Sequence, residues 1–190
     1  MTPAITALET VHDGWAKMFV ARVRTASGQE MRREIEHHGD AVAVLPYDPE
    51  RRVATVIRQL RAPVLHQVGA GDIAEVAAGL LESDDPAECA RREALEETGL
   101  ALGQLELVAT VWTMPGISTE RMHLYLAPYG PADRQGPGGG LASEMEEVHA
   151  EEVSLDELAR WSQDGRLADV KALVLLQALQ LRRPDLFGAS

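Results

Sequence analysis

Residues 79–100 read GLLESDDPAECARREALEETGL, and this stretch decides the fold. Asp85 stands before Pro86, and Glu88 follows at the third helical position, which makes a D-x-x-E capping box with proline where its missing N–H costs nothing. Gly99 stands where a left-handed residue stops a helix. The spacing predicts a helix over 86–98. At about 100° per residue, Glu93, Glu96 and Glu97 share one face of it. Like charges at i, i+3 and i+4 cost roughly 0.2 to 0.5 kcal/mol per pair on an exposed helix, so the face calls for a compensating cation. Arg91 and Arg92 are read as projecting to other faces. Oxygen ligands gathered on one face then suit a hard divalent ion such as Mg2+ or Mn2+. Spacing alone leaves a second reading open, an acidic face that is merely solvated.

Working outward, the preceding segment carries strands. MFVARVRT and QEMRREIE, within 17–38, flank Ala26-Ser27-Gly28 and read as a small N-terminal hairpin. DAVAVLPY and RVATVIRQL, broken at Asp48-Pro49, are central-strand candidates. PVLHQVGAGDIAEVAAGLL contains a loop at Gly69 and Gly71 and then a short strand running to Gly79. On the other side, LELVATVWTM and RMHLYLAPY form an antiparallel pair joined through Pro115-Gly116. GPADRQGPGGG reads as a mobile surface loop. Ser154 with Glu157 caps a helix through Trp161, and a last helix runs from Ala168 to Arg183. Hairpins without regular strand–helix alternation predict an α+β chain, a layered α/β/α sandwich on a mixed sheet. The expected division is a β-rich segment over 1–38 and a main domain over 39–190.

Composition narrows the partners. The chain has 190 residues, with 45% hydrophobic and 25% charged, which suits one domain and a small appendage. Eighteen basic against 30 acidic residues give a net charge of -12, so binding to nucleic acid through phosphate neutralisation is not expected. An anionic ligand would need local arginines or a metal cation. The lone Cys89 excludes an intramolecular disulfide, and His37, His38, His66 and His123 have no zinc-ligand spacing. MTPAITALETVHDGW is unlike a signal peptide, and the apolar run 172–181 is too short for a membrane span. The expected place is the cytoplasm, with no membrane partner.

The whole string 79–100 resembles the Nudix box: Gly, five residues, Glu, seven residues, then Arg-Glu-U-x-Glu-Glu-x-Gly-U with U aliphatic. The match falls at Arg92, Glu93, Ala94, Glu96, Glu97, Gly99 and Leu100. The first half departs from the pattern. Four residues separate Gly79 from Asp84, which stands in place of the Glu, so Asp84 is left out of the ligand set. This shortened form is similar to the GDP-mannose pyrophosphatase branch of the Nudix nucleotide-sugar hydrolases. The similarity runs from about Gly39 to Leu179, through VIRQLRA, IAEVAAGLL, TMPGISTE and SEMEEV.

The resemblance implies a Nudix-type sandwich and metal-dependent hydrolysis of the pyrophosphate bond in a nucleoside diphosphate sugar. GDP-mannose is the first choice and ADP-ribose the second, with a non-hydrolytic nucleotide-sugar binding module as the reading from another class. It implies Mg2+, with Mn2+ as a substitute, held by Glu93, Glu96, Glu97, the backbone carbonyl of Ala78 and Glu146. Arg92 would position a neighbouring carboxylate. Glu146, with Glu144 second, would serve as general base from the glycine-hinged loop. Arg58, Arg61 and Glu75 match the family's substrate site, and guanidinium forks suit a diphosphate. The N-terminal segment would build a homodimer. Cys89 is given no function.

Overall fold

The computed structural model describes residues 1–140 and 147–188. Among these residues the chain forms ten strands and four α-helices: β1 (Ala4–Asp13), β2 (Lys17–Arg24), β3 (Glu30–His37), β4 (Ala41–Asp48), β5 (Val53–Leu60), α1 (Ala62–Val68), β6 (Asp72–Glu75), β7 (Ala77–Leu80), α2 (Pro86–Thr98), β8 (Glu106–Trp112), β9 (Arg121–Pro128), β10 (Val148–Ser154), α3 (Leu155–Asp164) and α4 (Val170–Arg182). They divide into two compact units, Met1–Ala41 with Val111–Met122, and Val42–Thr110 with His123–Ser190.

In the first unit β1, β2 and β3 form an antiparallel sheet in that order. The reading of the sequence expects two of these strands. β1 escaped it because register shifts fall between Ile5 and Ala7 and between Thr10 and His12. Each shift inserts an extra residue, so the period-2 alternation that marks a strand is broken. The segment 111–122 joins this unit by pairing with the end of β3: Glu36 N–H donates to the Ile117 carbonyl at 2.8 Å, and Thr119 N–H to the Glu36 carbonyl at 3.0 Å. His38 lies between two carboxylates, with Nδ1 2.5 Å from Glu36 and Nε2 3.4 Å from Glu120. Burial alone would lower its pKa, but Glu36 and Glu120 outweigh burial and hold it above the usual range.

The second unit is built on a mixed seven-stranded sheet in the order β10-β5-β4-β9-β8, with β6 paired to β5 and β7 to β4. All of AVAVLPYD in β4 is buried, the signature of a central strand covered on both faces. α2 covers one face. Its Cys89, Ala90 and Ala94 pack with Val42 and Val44 of β4, Ala77 of β7, and Tyr125, Ala127 and Tyr129 around β9. β10 is an unexpected strand, paired antiparallel to β5 from Val148 to Ser154. Its two adjacent glutamates hide the strand pattern in the sequence, and both are paired with arginines in the fold. α1 is also unexpected, and none of its residues is buried. The stretch 130–140, read as a mobile loop, is held against the end of α2, with Gly139 and Gly140 N–H donating to the Glu97 and Glu96 carbonyls.

Candidate active site

α2 begins and ends as its sequence dictates. The Asp85 carboxylate accepts from Ala87 N–H at 2.9 Å and Glu88 N–H at 3.3 Å, and Gly99 closes the helix at φ 70°. Glu88 does not reach back to complete the capping box. It pairs instead with Arg91 at 2.6 Å. The following turns carry Glu93 and Glu97 to β7. Glu97 is buried, and one of its oxygens accepts from Ala78 N–H at 2.9 Å, which fixes the last turn of the helix to the strand. Glu93 lies over Gly79, where a β-carbon would come within 2.2 Å of its carboxylate.

Arg92 corrects the expectation that it projects to another face. Its guanidinium contacts Glu93 at 2.7 Å, Glu96 at 3.0 Å and Glu82 at 3.1 Å. The side chain is long enough to curl over i+1 and i+4, and the clustered carboxylates supply the attraction. Burial would lower the Arg92 pKa, and the charges of Glu93, Glu96 and Glu82 raise it above the ordinary value. Among the described residues no three ligand side chains stand close enough to hold a metal ion. The donor chemistry nevertheless fits a hard cation: three carboxylates on the last turns of one helix, two of them against the half-buried β7 backbone, with a glycine making room for Glu93. Glu144 and Glu146 lie outside the described residues. Asp84 is exposed.

A second polar cluster lies beside this helix. Glu75 is 2% exposed, and its carboxylate accepts from Arg61 Nε at 2.6 Å and Nη2 at 2.9 Å. Lys171 Nζ donates to Glu75 at 3.0 Å and to Asp169 at 2.7 Å. Burial would raise the Glu75 pKa, but Arg61 and Lys171 prevail and hold it below the carboxylate range. Burial would likewise lower Lys171, and Asp169 and Glu75 hold it above the ordinary lysine value. Burial would lower the Arg61 pKa, but its hydrogen bonds to Glu75 and the Glu75 charge raise it above the ordinary value, with the charge of Glu97 adding to them. Two cations therefore persist beside the acidic helix. Lys171 and Asp169 escaped the sequence reading. Asp169 had a local signal, since it caps α4 by accepting from Lys171 and Ala172 N–H, but Lys171 had none.

Arg58 does not join this cluster. On β5 its register partners are Ala74 and His149, whereas Glu75 pairs with Ile57. Residues directly opposite share a face and neighbours in sequence do not, so Arg58 points to the opposite side of the sheet from Glu75. There it pairs with Glu151 at 2.7 Å and lies over the Trp161 ring of α3 at 5.6 Å. Cys89 is buried in the core under α2, with Sγ 3.3 Å from the Ser83 hydroxyl.

Comparison with known proteins gives the family and the fold. The family model described as NUDIX domain matches residues 37–174. The GDP-mannose pyrophosphatase of Cronobacter sakazakii is 40% identical over 152 residues, which are 80% of this chain and 78% of that protein. The protein of the same name from Pectobacterium atrosepticum is 36% identical over 151 residues, 79% of this chain and 77% of its own. A solved structure titled "Crystal structure of ADP compounds hydrolase" superposes with a TM-score of 0.79 over 97% of this chain and 96% of that one. At 16% identity it shows a shared fold.

Proposed function

The chain belongs to the Nudix family, and from that premise we propose that it hydrolyses the pyrophosphate bond of a nucleoside diphosphate sugar, GDP-mannose first, to a nucleoside monophosphate and a sugar 1-phosphate. The observation that carries the reading is the juxtaposition of the carboxylate face of α2 with the Arg61–Glu75–Lys171 cluster, one element for a divalent cation and one for an anionic diphosphate. Nudix hydrolases generally use divalent cations, and here we take the ion to be Mg2+. Glu93, Glu96, Glu97 and the Ala78 carbonyl would hold it, with Glu146 as a further ligand. A bound Mg2+ would neutralise diphosphate oxygens and lower the pKa of the attacking water.

The chain's own groups do the rest. Arg61 and Lys171, fixed by Glu75, meet the diphosphate without reorganising. Arg92 holds Glu93 and Glu96 in place. Glu146, with Glu144 second, accepts the proton of the attacking water. We further propose a homodimer built by the N-terminal segment, acting in the cytoplasm without nucleic-acid or membrane partners. No helix among the described residues is long and apolar enough to cross a membrane.

The test is a product assay with Mg2+ on GDP-mannose, ADP-ribose, ADP-glucose and dinucleotides, comparing wild type with Glu97→Gln. Glutamine still accepts from Ala78 N–H, so the fold persists while turnover falls by at least about 100-fold. A much higher kcat/KM for ADP-ribose than for GDP-mannose would reverse the substrate order. Tight binding of the panel under saturating Mg2+ without product release would replace hydrolysis with the binding-module reading.

A further inference from the structure

α2 places its three glutamates at its own negative end. The helix macrodipole puts roughly half a negative charge at the C-terminus, where acidic side chains are unfavourable and basic ones favourable. The last turn of α2 contains no basic residue. Its carbonyls are nevertheless covered, and from one segment. Glu96 and Glu97 accept from Gly140 and Gly139 N–H at 3.1 and 3.0 Å, and Gly99 accepts from Gln135 N–H at 2.8 Å. The approach is too close for side chains. A β-carbon on Gly138 would lie 2.2 Å from the Glu97 carbonyl oxygen, and one on Gly99 would lie 2.1 Å from that of Gly136.

The Thr98 carbonyl is the exception to this backbone capping, because it accepts from a side chain, Arg134 Nη1, at 3.0 Å. The same guanidinium donates through Nη2 to Glu152 at 3.0 Å. Glu152 is in turn gripped by Arg51, at 2.8 Å on one oxygen and 2.7 Å on the other, and by the Tyr129 hydroxyl at 2.9 Å. Arg51 is anchored to the buried Asp48 at 2.6 Å. Arg134 therefore brings to the C-terminal carbonyls of α2 the cation that its last turn lacks, and it is braced from β10.

We propose that Arg134 is a positioning residue for the acidic end of α2: braced by Glu152, it caps the Thr98 carbonyl and keeps Glu93, Glu96 and Glu97 in register for a divalent cation. The inference rests on the reading of α2 as the cation-holding helix. Its test therefore reads metal affinity as well as turnover. Mn2+ titration of folded Arg134→Met should show affinity reduced by about 10- to 100-fold, the range for residues that orient metal ligands. Arg134→Lys, which keeps the charge but loses the fork, should recover part of it. Glu152→Gln should shift affinity in the same direction without touching α2. Arg52→Ala removes a comparable ion pair to Asp156 and should lower Tm while leaving Mn2+ affinity unchanged.

Lowered Tm with wild-type Mn2+ affinity in Arg134→Met would overturn the proposal, as would absence of Mn2+ binding by the wild type. If Arg134→Met does not fold, Arg134→Lys and Glu152→Gln decide, and wild-type affinity in both overturns it. Weakened Mn2+ binding in these variants, in a protein that hydrolyses no nucleotide sugar, would uphold the positioning role and remove only the proposed function.

Discussion

Gly79 and Glu93 share one space: the position a β-carbon would take on Gly79 lies 2.2 Å from the Glu93 carboxylate. The backbone of Gly79 is not in the left-handed region, so alanine meets no conformational penalty there. The conflict is with the far end of a flexible side chain, which can swing aside. Gly79→Ala is therefore expected to cost less than about 1 kcal/mol of stability while displacing Glu93. Thermal denaturation together with Mn2+ titration checks this, with Tm nearly unchanged and metal affinity reduced.

The two arginines of VIRQLR should separate cleanly. Arg61→Met removes a cation next to Glu97 and loosens Glu75, and should lower kcat/KM by about 10- to 100-fold, the loss of one charge-assisted contact. Arg58→Met, on the opposite face of the sheet, should stay within about twofold of wild type. Steady-state kinetics on the preferred nucleotide sugar measures both, and equal losses would contradict the assignment of faces.

Stability should fall at both ends of the pH scale for named reasons. Hydrogen bonds from Arg51 are the main cause that takes Glu152 down to about 2 from an ordinary 4.5, with Tyr129 and Arg134 adding to them against burial. A lowered carboxylate contributes fully above about 4.5 and is lost as pH falls towards 2. His38 is raised above its ordinary 6.5, so its contribution is present below that value and is lost as pH rises through the raised one. Denaturant titrations from pH 2 to 9 should show Glu152→Gln flattening the acid limb and His38→Gln the alkaline one.

The proposed homodimer is expected to bury the exposed apolar side chains of β1. The register shift between Ile5 and Ala7 puts Ile5 opposite Val23 and Leu8 opposite Ala21, so the two apolar side chains share a face although they are three residues apart. They are 57% and 54% exposed. Light scattering at micromolar concentration should give twice the chain mass for wild type, and the chain mass for Ile5→Lys/Leu8→Lys.

Legibility in the sequence followed the range of the forces. α2 was readable to its end residues because Asp85, Pro86 and Gly99 act on their own backbone neighbours. β4 was readable because a strand buried along its whole length is mostly apolar, and β5 because β-branched residues fill its buried middle. β1 and β10 were not, since register shifts interrupt the alternation in one and charges satisfied by distant arginines mask it in the other.

The same division runs through the site. Helical periodicity alone put Glu93, Glu96 and Glu97 on one face, because it is a property of every right-handed helix. Three outcomes required the tertiary structure. Arg92 turns onto Glu93 and Glu96 because the whole acidic cluster, including Glu82 from the preceding loop, attracts it. Arg58 and Arg61 part company because strand pairing, which no local signal sets, decides which face each occupies. Lys171 reaches Glu75 across 96 residues of chain, and Arg134 reaches Thr98 across 36, because burying a carboxylate or a helix end requires a partner from wherever the fold brings one.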